Sequence, residues 1–449
     1  MTRQSAWLLL VLGVLVIIAC IYGWSAAGRP SSSQDAWNSI RSSLQGDPTT
    51  TNPPRPTLST NFEPHAFDWP QWRGPERTGV SRETGLLRDW PASGPSLAWQ
   101  ADYVGAGFSA PTVAGGRVFL MGNRGLSEYV IALSEEDGGL IWATAIGPIR
   151  ATGGGYPGPR CSPAVDDDRV YALGLNGDFV CLNAPTGRIK WRRDLRDFDG
   201  EVGSWGYSES PLVDGDKVLC TPGGKKATLL ALRSESGEVV WKCSVPSLKM
   251  AAYGSMIAAE VEGKRQYIQA LQEGVVGVSD AGKSLWLHPI PPAGSATCTT
   301  PLFHDGVVIA PFQAGTVALT GLDLPSPQRR FFSAHLKNQY GGVVVIEGHV
   351  YGADDTLLTC LDEKTGERKW SERRTGKGSI AGADGMLYFR DDNGSMLLVE
   401  ANPAKYIEHG RFLPGERSGE PPLPHPVIAN GKLYLRDQQF LLCYDVKRP

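Results

Sequence analysis

Nine side chains in this sequence have the types and spacing to build a binding surface: Phe108, Arg160, Trp205, Tyr207, Glu209, Tyr253, Tyr340, Lys377 and His425. Each stands at or just before the start of a short apolar run that opens a new unit of a repeat, so one end of the repeats should gather them. Arg160 and Lys377 offer positive charge to an anion, and the aromatic rings offer flat apolar surface with polar tips. Glu209 is the single carboxylate of the set, too few for a hard cation that needs several converging oxygens. His425 precedes a proline at a strand start and reads as a hydrogen-bonded lining residue. A zinc site would need further His or Cys beside it. Two outcomes follow for the nine: an aromatic mouth with cationic contacts, or side chains that plug a narrow channel and satisfy one another. No residue is nominated as catalytic or as a metal ligand.

The elements that must position these residues are legible in Ser162 to Leu195, SPAVDDDRVYALGLNGDFVCLNAPTGRIKWRRDL. Four short runs rich in β-branched and aromatic residues are separated by Asp, Asn-Gly and Pro-Thr-Gly turns. Four antiparallel strands recurring every ~40 to 50 residues are the signature of a propeller blade. First strands open at Ser109, Ser162, Ser210, Ser255, Thr300, Gly342, Ser379 and His425, and the fourth strands lie around Trp142, Trp191, Trp241, Trp286, Phe332, Trp370 and Ile407. The last set ends after its third strand, while LAWQADY (97–103) is a fourth-strand pattern with no blade of its own. Pairing the two closes a ring of eight blades and leaves no open sheet edge. Seven is the runner-up, because the blade from Ser379 has no Trp. The fold class is therefore all-β, an eight-bladed propeller of four-stranded antiparallel blades, with each fourth-strand Trp docking one blade on the next.

The composition agrees. Gly 54 and Pro 33 in 449 residues suit a turn-dense β protein, and a net charge of −3 without a lysine-rich run gives no reason to expect nucleic acid. Residues 1–24 contain an uncharged apolar run from Ala6 to Trp24, about 28 Å long as a helix and enough to cross a bilayer. With Arg3 ahead of it, the run places the remainder outside the cytoplasm, anchored in the inner membrane. A lipoprotein signal at Cys20 and an ordinary cleaved signal remain alternatives. Residues 25–67, rich in Ser, Thr and Pro, read as a disordered tether, and 68–449 as the propeller. DWPQWRGP (68–75) belongs to no blade and should lie across the ring as a clasp, the alternative being a sticky segment offered to a partner. The Gly-rich stretch 147–159 should be a flap over one face. Cys181, Cys360 and Cys443 recur at one place in three blades, too far apart for disulfides.

VYALGLNGDFVCLNAPTGRIKW and LLTCLDEKTGERKW resemble the pyrroloquinoline quinone (PQQ) repeat of quinoprotein-alcohol-dehydrogenase-like propellers. DWPQWRGP, GPRCSPAV and WGYSESPLVDGDKV look like a bacterial subgroup of exported PQQ-binding-like propellers. The family includes quinone-dependent dehydrogenases and non-catalytic lipoproteins of outer-membrane assembly. The resemblance implies either a binding or assembly scaffold for a protein partner or small anionic ligand, or a PQQ-dependent oxidoreductase with calcium as its metal. The dehydrogenases resemble one another in a calcium cage, an Asp base and often a disulfide of adjacent cysteines. This chain has no Cys-Cys pair and a single nominated carboxylate, so the scaffold is expected.

Overall fold

Two-residue turns with both φ angles positive join the first and second strands of most blades: Gly115–Gly116, Glu262–Gly263, Asp305–Gly306, Glu347–Gly348, Asp384–Gly385 and Asn430–Gly431. Their twist matches that of the strands they connect, so each nucleates a hairpin. The computed structural model describes residues 62–448 except 152–155, 249, 291–296 and 354–355. The expected anchor (1–24) and most of the tether lie outside the described residues. Among the described residues no helix is long and apolar enough to cross a membrane. Phe62 and His65, which composition groups with the tether, already touch the ring, with Phe62 packed 6.3 Å from Phe119.

The described strands form eight sheets. Blades 1 to 7 span residues 112–148, 164–194, 212–243, 257–289, 302–333, 343–372 and 378–412, and blade 8 spans 427–445. Leu97–Ala101 supplies the fourth strand of blade 8, with Trp99 opposite Cys443 and Ala101 opposite Leu441. The ring is thus closed as the pattern requires, and the count is eight. A register shift between third and fourth strands recurs in all eight sheets, next to the docking aromatic in every blade but the seventh. Such a bulge adds local twist and re-aims the side chain beside it.

The aromatic then reaches the following blade. The indole N–H groups of Trp99, Trp142, Trp191, Trp241 and Trp370 donate to the carbonyls of Glu135, Ala184, Ser234, Asp280 and Asn402 at 2.8–3.0 Å. The Trp142 ring lies so close over Gly187 that a Cβ there would come within 2.5 Å of it, which explains the glycine of the APTG turn. Three blades vary the device. Trp286 donates to Gln266, whose amide passes the contact on to the Leu322 carbonyl. In blade 5 the docking ring is Phe331, 8% exposed over Gly366, while Phe332 is 48% exposed. Blade 7, which lacks its Trp, receives Trp90 from outside the repeat, 5.4 Å from Phe412 and 5.7 Å from Tyr388.

Residues 68–87 are the least repeat-like part of the molecule, and they run through the middle of it. Trp69 bridges to Val113 of blade 1, and the Pro70 carbonyl accepts Val165 N–H of blade 2. Arg77 donates to Ser210 and Pro211 at the start of blade 3 and to Met256 at the start of blade 4. Trp72 donates to Thr300 Oγ1 before blade 5, and Arg73 to the Val343 carbonyl of blade 6. Val80–Ser81 adds a parallel fifth strand to blade 7, and Leu87 N–H reaches Val446 just after blade 8. The expected clasp, 68–75, accounts for the contacts to blades 1, 2, 5 and 6, and its continuation to residue 87 adds blades 3, 4, 7 and 8, so the whole stretch is a plug rather than a strap. Arg73 and Arg77 hold left-handed backbone (φ 64° and 58°), a conformation their buried guanidinium–carbonyl bonds help to hold.

Candidate functional site

In antiparallel blades the turn between second and third strands and the link to the next blade share one end of the sheet. At that end a cavity of about 720 Å³ opens over the plug. Its floor is a relay of hydroxyls from the Ser/Thr that begins each first-strand run. Ser162 N–H donates to Ser210 Oγ, Ser210 N–H to Ser255 Oγ and Ser255 N–H to Thr300 Oγ1, at 2.9–3.1 Å. Trp72 closes the relay on Thr300 at 2.9 Å. Backbone donors that no sheet ladder reaches are satisfied by the neighbouring blade, which is why the repeat insists on a hydroxyl there. With the plug beneath, the cavity is a bowl rather than a through-channel.

The walls are aromatic. Trp205 and Tyr253 meet edge to face at 5.4 Å, and Phe108 and Tyr156 at 6.1 Å. Arg160 sits over the Phe108 ring at 5.6 Å and Lys377 near the Tyr340 ring at 5.9 Å. Arg160 donates to the carbonyls of Tyr156, Gly158 and Trp205, and burial lowers its pKa. Arg417, from the long link between blades 7 and 8, donates to Asn393. Carbonyls and ring faces satisfy the geometry of these cations but leave their charge available to an anion.

Seven of the nine nominated residues therefore line the bowl: Phe108, Arg160, Trp205, Tyr253, Tyr340, Lys377 and His425. Tyr207 and Glu209 do not. Ser208 and Ser210 face the bowl, so Glu209 between them turns the other way, as the two-residue period of extended chain dictates. Its carboxylate accepts Thr221 N–H at 2.6 Å and Thr221 Oγ1–H at 2.9 Å, and burial pushes it up to about 7 against the pull of the Thr221 bonds and Arg77. Tyr207 is buried and donates to the Pro222 carbonyl at 3.0 Å. His425 lies on the floor, 4.6 Å from Trp72 and bonded to the Tyr340 carbonyl. Burial and the Arg73 charge hold it down at about 3, so it carries no charge at neutral pH.

Sequence reasoning missed the contributions of turns and of the plug. Trp72 comes from the plug, Asp392 and Asn393 from a blade 7 turn, and Glu420 to Pro424 from the 7–8 link. The signal was available in principle, because turns between second and third strands must share the end with the first-strand starts. Of the flap 147–159, residues 152–155 lie outside the described residues, while Tyr156 lines the bowl.

A quinone with calcium would need converging oxygens here. The lining carboxylates are Asp392, Glu420 and Asp437. Asp437 is already held by Arg390 at 2.9 Å and by Ser418. Among the described residues, no three carboxylate, imidazole or thiol atoms converge on the bowl. The residues present do not fit the calcium cage, and the cysteines from Cys161 onward are free thiols with none adjacent to another. No redox step is derived from this site.

The family model described as outer membrane protein assembly factor BamB matches residues 126–372. Among curated proteins, BamB of Salmonella typhimurium is 26% identical over 220 residues, 47% of this chain and 49% of that protein. BamB of Yersinia pestis is 30% identical over 143 residues, 31% of this chain and 32% of that protein. The chain spans about half the length of the first of these relatives, and less of the second. Among solved structures, quinohemoprotein alcohol dehydrogenase of Comamonas testosteroni aligns with TM-score 0.63 and 14% identity, over 85% of this chain and 81% of that one. BamB of Moraxella catarrhalis aligns with TM-score 0.54 and 14% identity, over 73% and 93%. At such identity the structural likeness establishes the fold alone.

Proposed function

That this chain belongs to the PQQ-repeat propeller family described as outer membrane protein assembly factor BamB is the premise from which we propose that it is a binding or assembly scaffold. In this reading a rigid ring, held outside the cytoplasm by its N-terminal segment, offers the bowl to a protein partner or a small anionic ligand. One observation carries it. The bowl joins five aromatic walls to Arg160, Lys377 and Arg417, and among the described residues none of these three cations forms an ion pair with a carboxylate. Aromatic and arginine side chains around a concave, prebuilt surface are what binding hot spots are made of. The plug makes the surface rigid, so little ordering cost falls on association. Following the name of its curated relatives, the partner class in this reading is outer membrane protein undergoing assembly.

Photo-crosslinking in intact cells tests this. A crosslinker at Gln339, on the bowl, should trap a discrete partner. The same group at Glu262, in an exposed turn at the opposite end of blade 4, should not. Equal labelling at both positions, or none at Gln339 while the purified protein oxidises alcohols, would end the scaffold reading.

A further inference from the structure

On the face away from the bowl, where blade 8 meets blade 1, three ligand atoms face one another without bonding. His65 Nδ1 lies 3.6 Å from Glu135 Oε2 and 3.9 Å from Asp68 Oδ1, too far for good hydrogen bonds. The three residues' donor atoms all lie within 4.8 Å of one another. We propose that His65, Asp68 and Glu135 bind a divalent cation of the zinc type, which fastens the incoming chain to the seam of the ring.

Both carboxylates are oriented by hydrogen bonds from their neighbours. Asp68 Oδ2 accepts the N–H groups of His65 and Gly115 at 2.8 and 3.0 Å. Asn430 Nδ2 donates to both Asp68 Oδ1 and Glu135 Oε1 at 2.9 Å, and Tyr434 also donates to Glu135 Oε1. Glu135 Oε2 is buried and has no hydrogen-bond partner. The carboxylate side chains are only 8% and 11% exposed, so water screens their mutual repulsion poorly. Asn430, Tyr434 and Gly115 do for these ligands what outer-shell partners do at metal sites, fixing which oxygen points inward.

Other histidine–carboxylate contacts in the ring are closed by hydrogen bonds: His304 with Glu363, and His409 with Asp89 at 2.9 Å and Glu400 at 3.1 Å. One imidazole and two carboxylates suit zinc or manganese better than calcium, with water completing the shell. Zinc bonds of about 2.0–2.2 Å require the three atoms to close in slightly, and half-exposed His65 has room to move.

The position gives such an ion a purpose. Glu135 is in the turn between the third and fourth strands of blade 1, and its carbonyl receives Trp99 of blade 8. Asn430 is in the first turn of blade 8. His65 and Asp68 begin the chain that becomes the plug. One cation would tie all three together at the joint where the ring could open.

Untagged full-length protein, stripped of metal by chelation, should bind one Zn2+ per chain by calorimetry. Its Tm should rise by about 3 °C at a hundred-fold excess over Kd. Glu135→Gln, which retains an acceptor for Asn430 and Tyr434, and His65→Ala at the half-exposed position should each weaken Zn2+ binding at least ~10-fold without lowering the metal-free Tm. Wild-type Kd weaker than about 1 mM, unchanged affinity in either variant, or preference for Ca2+ over Zn2+ would overturn the three-ligand site.

Discussion

In the plug, Arg73 and Arg77 are 3% and 2% exposed, and their guanidinium groups end on carbonyls of blades 3, 4 and 6. In the bowl, Arg160 and Arg417 also end on carbonyls, but they stand at the wall of an open cavity beside aromatic rings. Residue type and bonding partner are the same in the two places, and only access differs. Burial holds Arg73 and Arg77 down at about 10 and leaves no path for an outside anion, so their charge serves closure. At the wall the same group keeps a face toward incoming ligand. An arginine bound to carbonyls is therefore a structural or a recognition residue according to what lies on its other side.

The largest effect that would test this contrast is Arg77→Ala. It strands the carbonyls of Ser210, Pro211 and Met256 in a dry interior and should cost about 3–5 kcal/mol in urea unfolding. A loss under ~1 kcal/mol would mean that the plug is not what closes the channel.

A smaller effect concerns a buried carboxyl of blade 1. Glu128 is fully buried, its Oε2 accepts Leu175 N–H at 2.9 Å, and its Oε1 has no partner. Burial pushes it from 4.5 up to about 7. The folded state then holds a proton that the unfolded state has released, so stability falls as pH rises between these two values. The slope is at most about 1.4 kcal/mol per pH unit, and it levels off above the folded value. Glu128→Gln should remove this contribution and make that part of the stability–pH curve less steep in parallel urea titrations, the similar contribution of Glu209 remaining. An unchanged slope would show that Glu128 is ionised in the fold.

Arg417→Ala should change stability least, within about 0.5 kcal/mol, since its one recorded bond is exposed. It should nevertheless reduce crosslinking from Gln339. Loss of stability comparable to Arg77→Ala would erase the distinction between the two regions.

Much of the architecture was legible because a blade is a local object. Turn residues, alternating runs and a Trp at fixed spacing reveal themselves within ~45 residues, and a leftover Trp-bearing strand at 97–103 demands a partner. Seven of the nine nominated residues come together in the bowl for the same reason, since first-strand starts share an end. Glu209 lies outside it because one residue of offset turns a side chain to the other face. Trp90 and Phe331 show the same limit: which ring fills a gap between blades is decided by the space left there, not by the repeat.

By itself, then, the sequence determined the sheets, their number and the closure of the ring, because each depends on short-range pattern plus one long-range pairing. Tertiary structure alone decided that residues 68–87 seal the axis and that His65, Asp68 and Glu135 share a corner. Those groups come from segments tens to hundreds of residues apart, and no periodicity connects them. Only the closed ring brings them within reach.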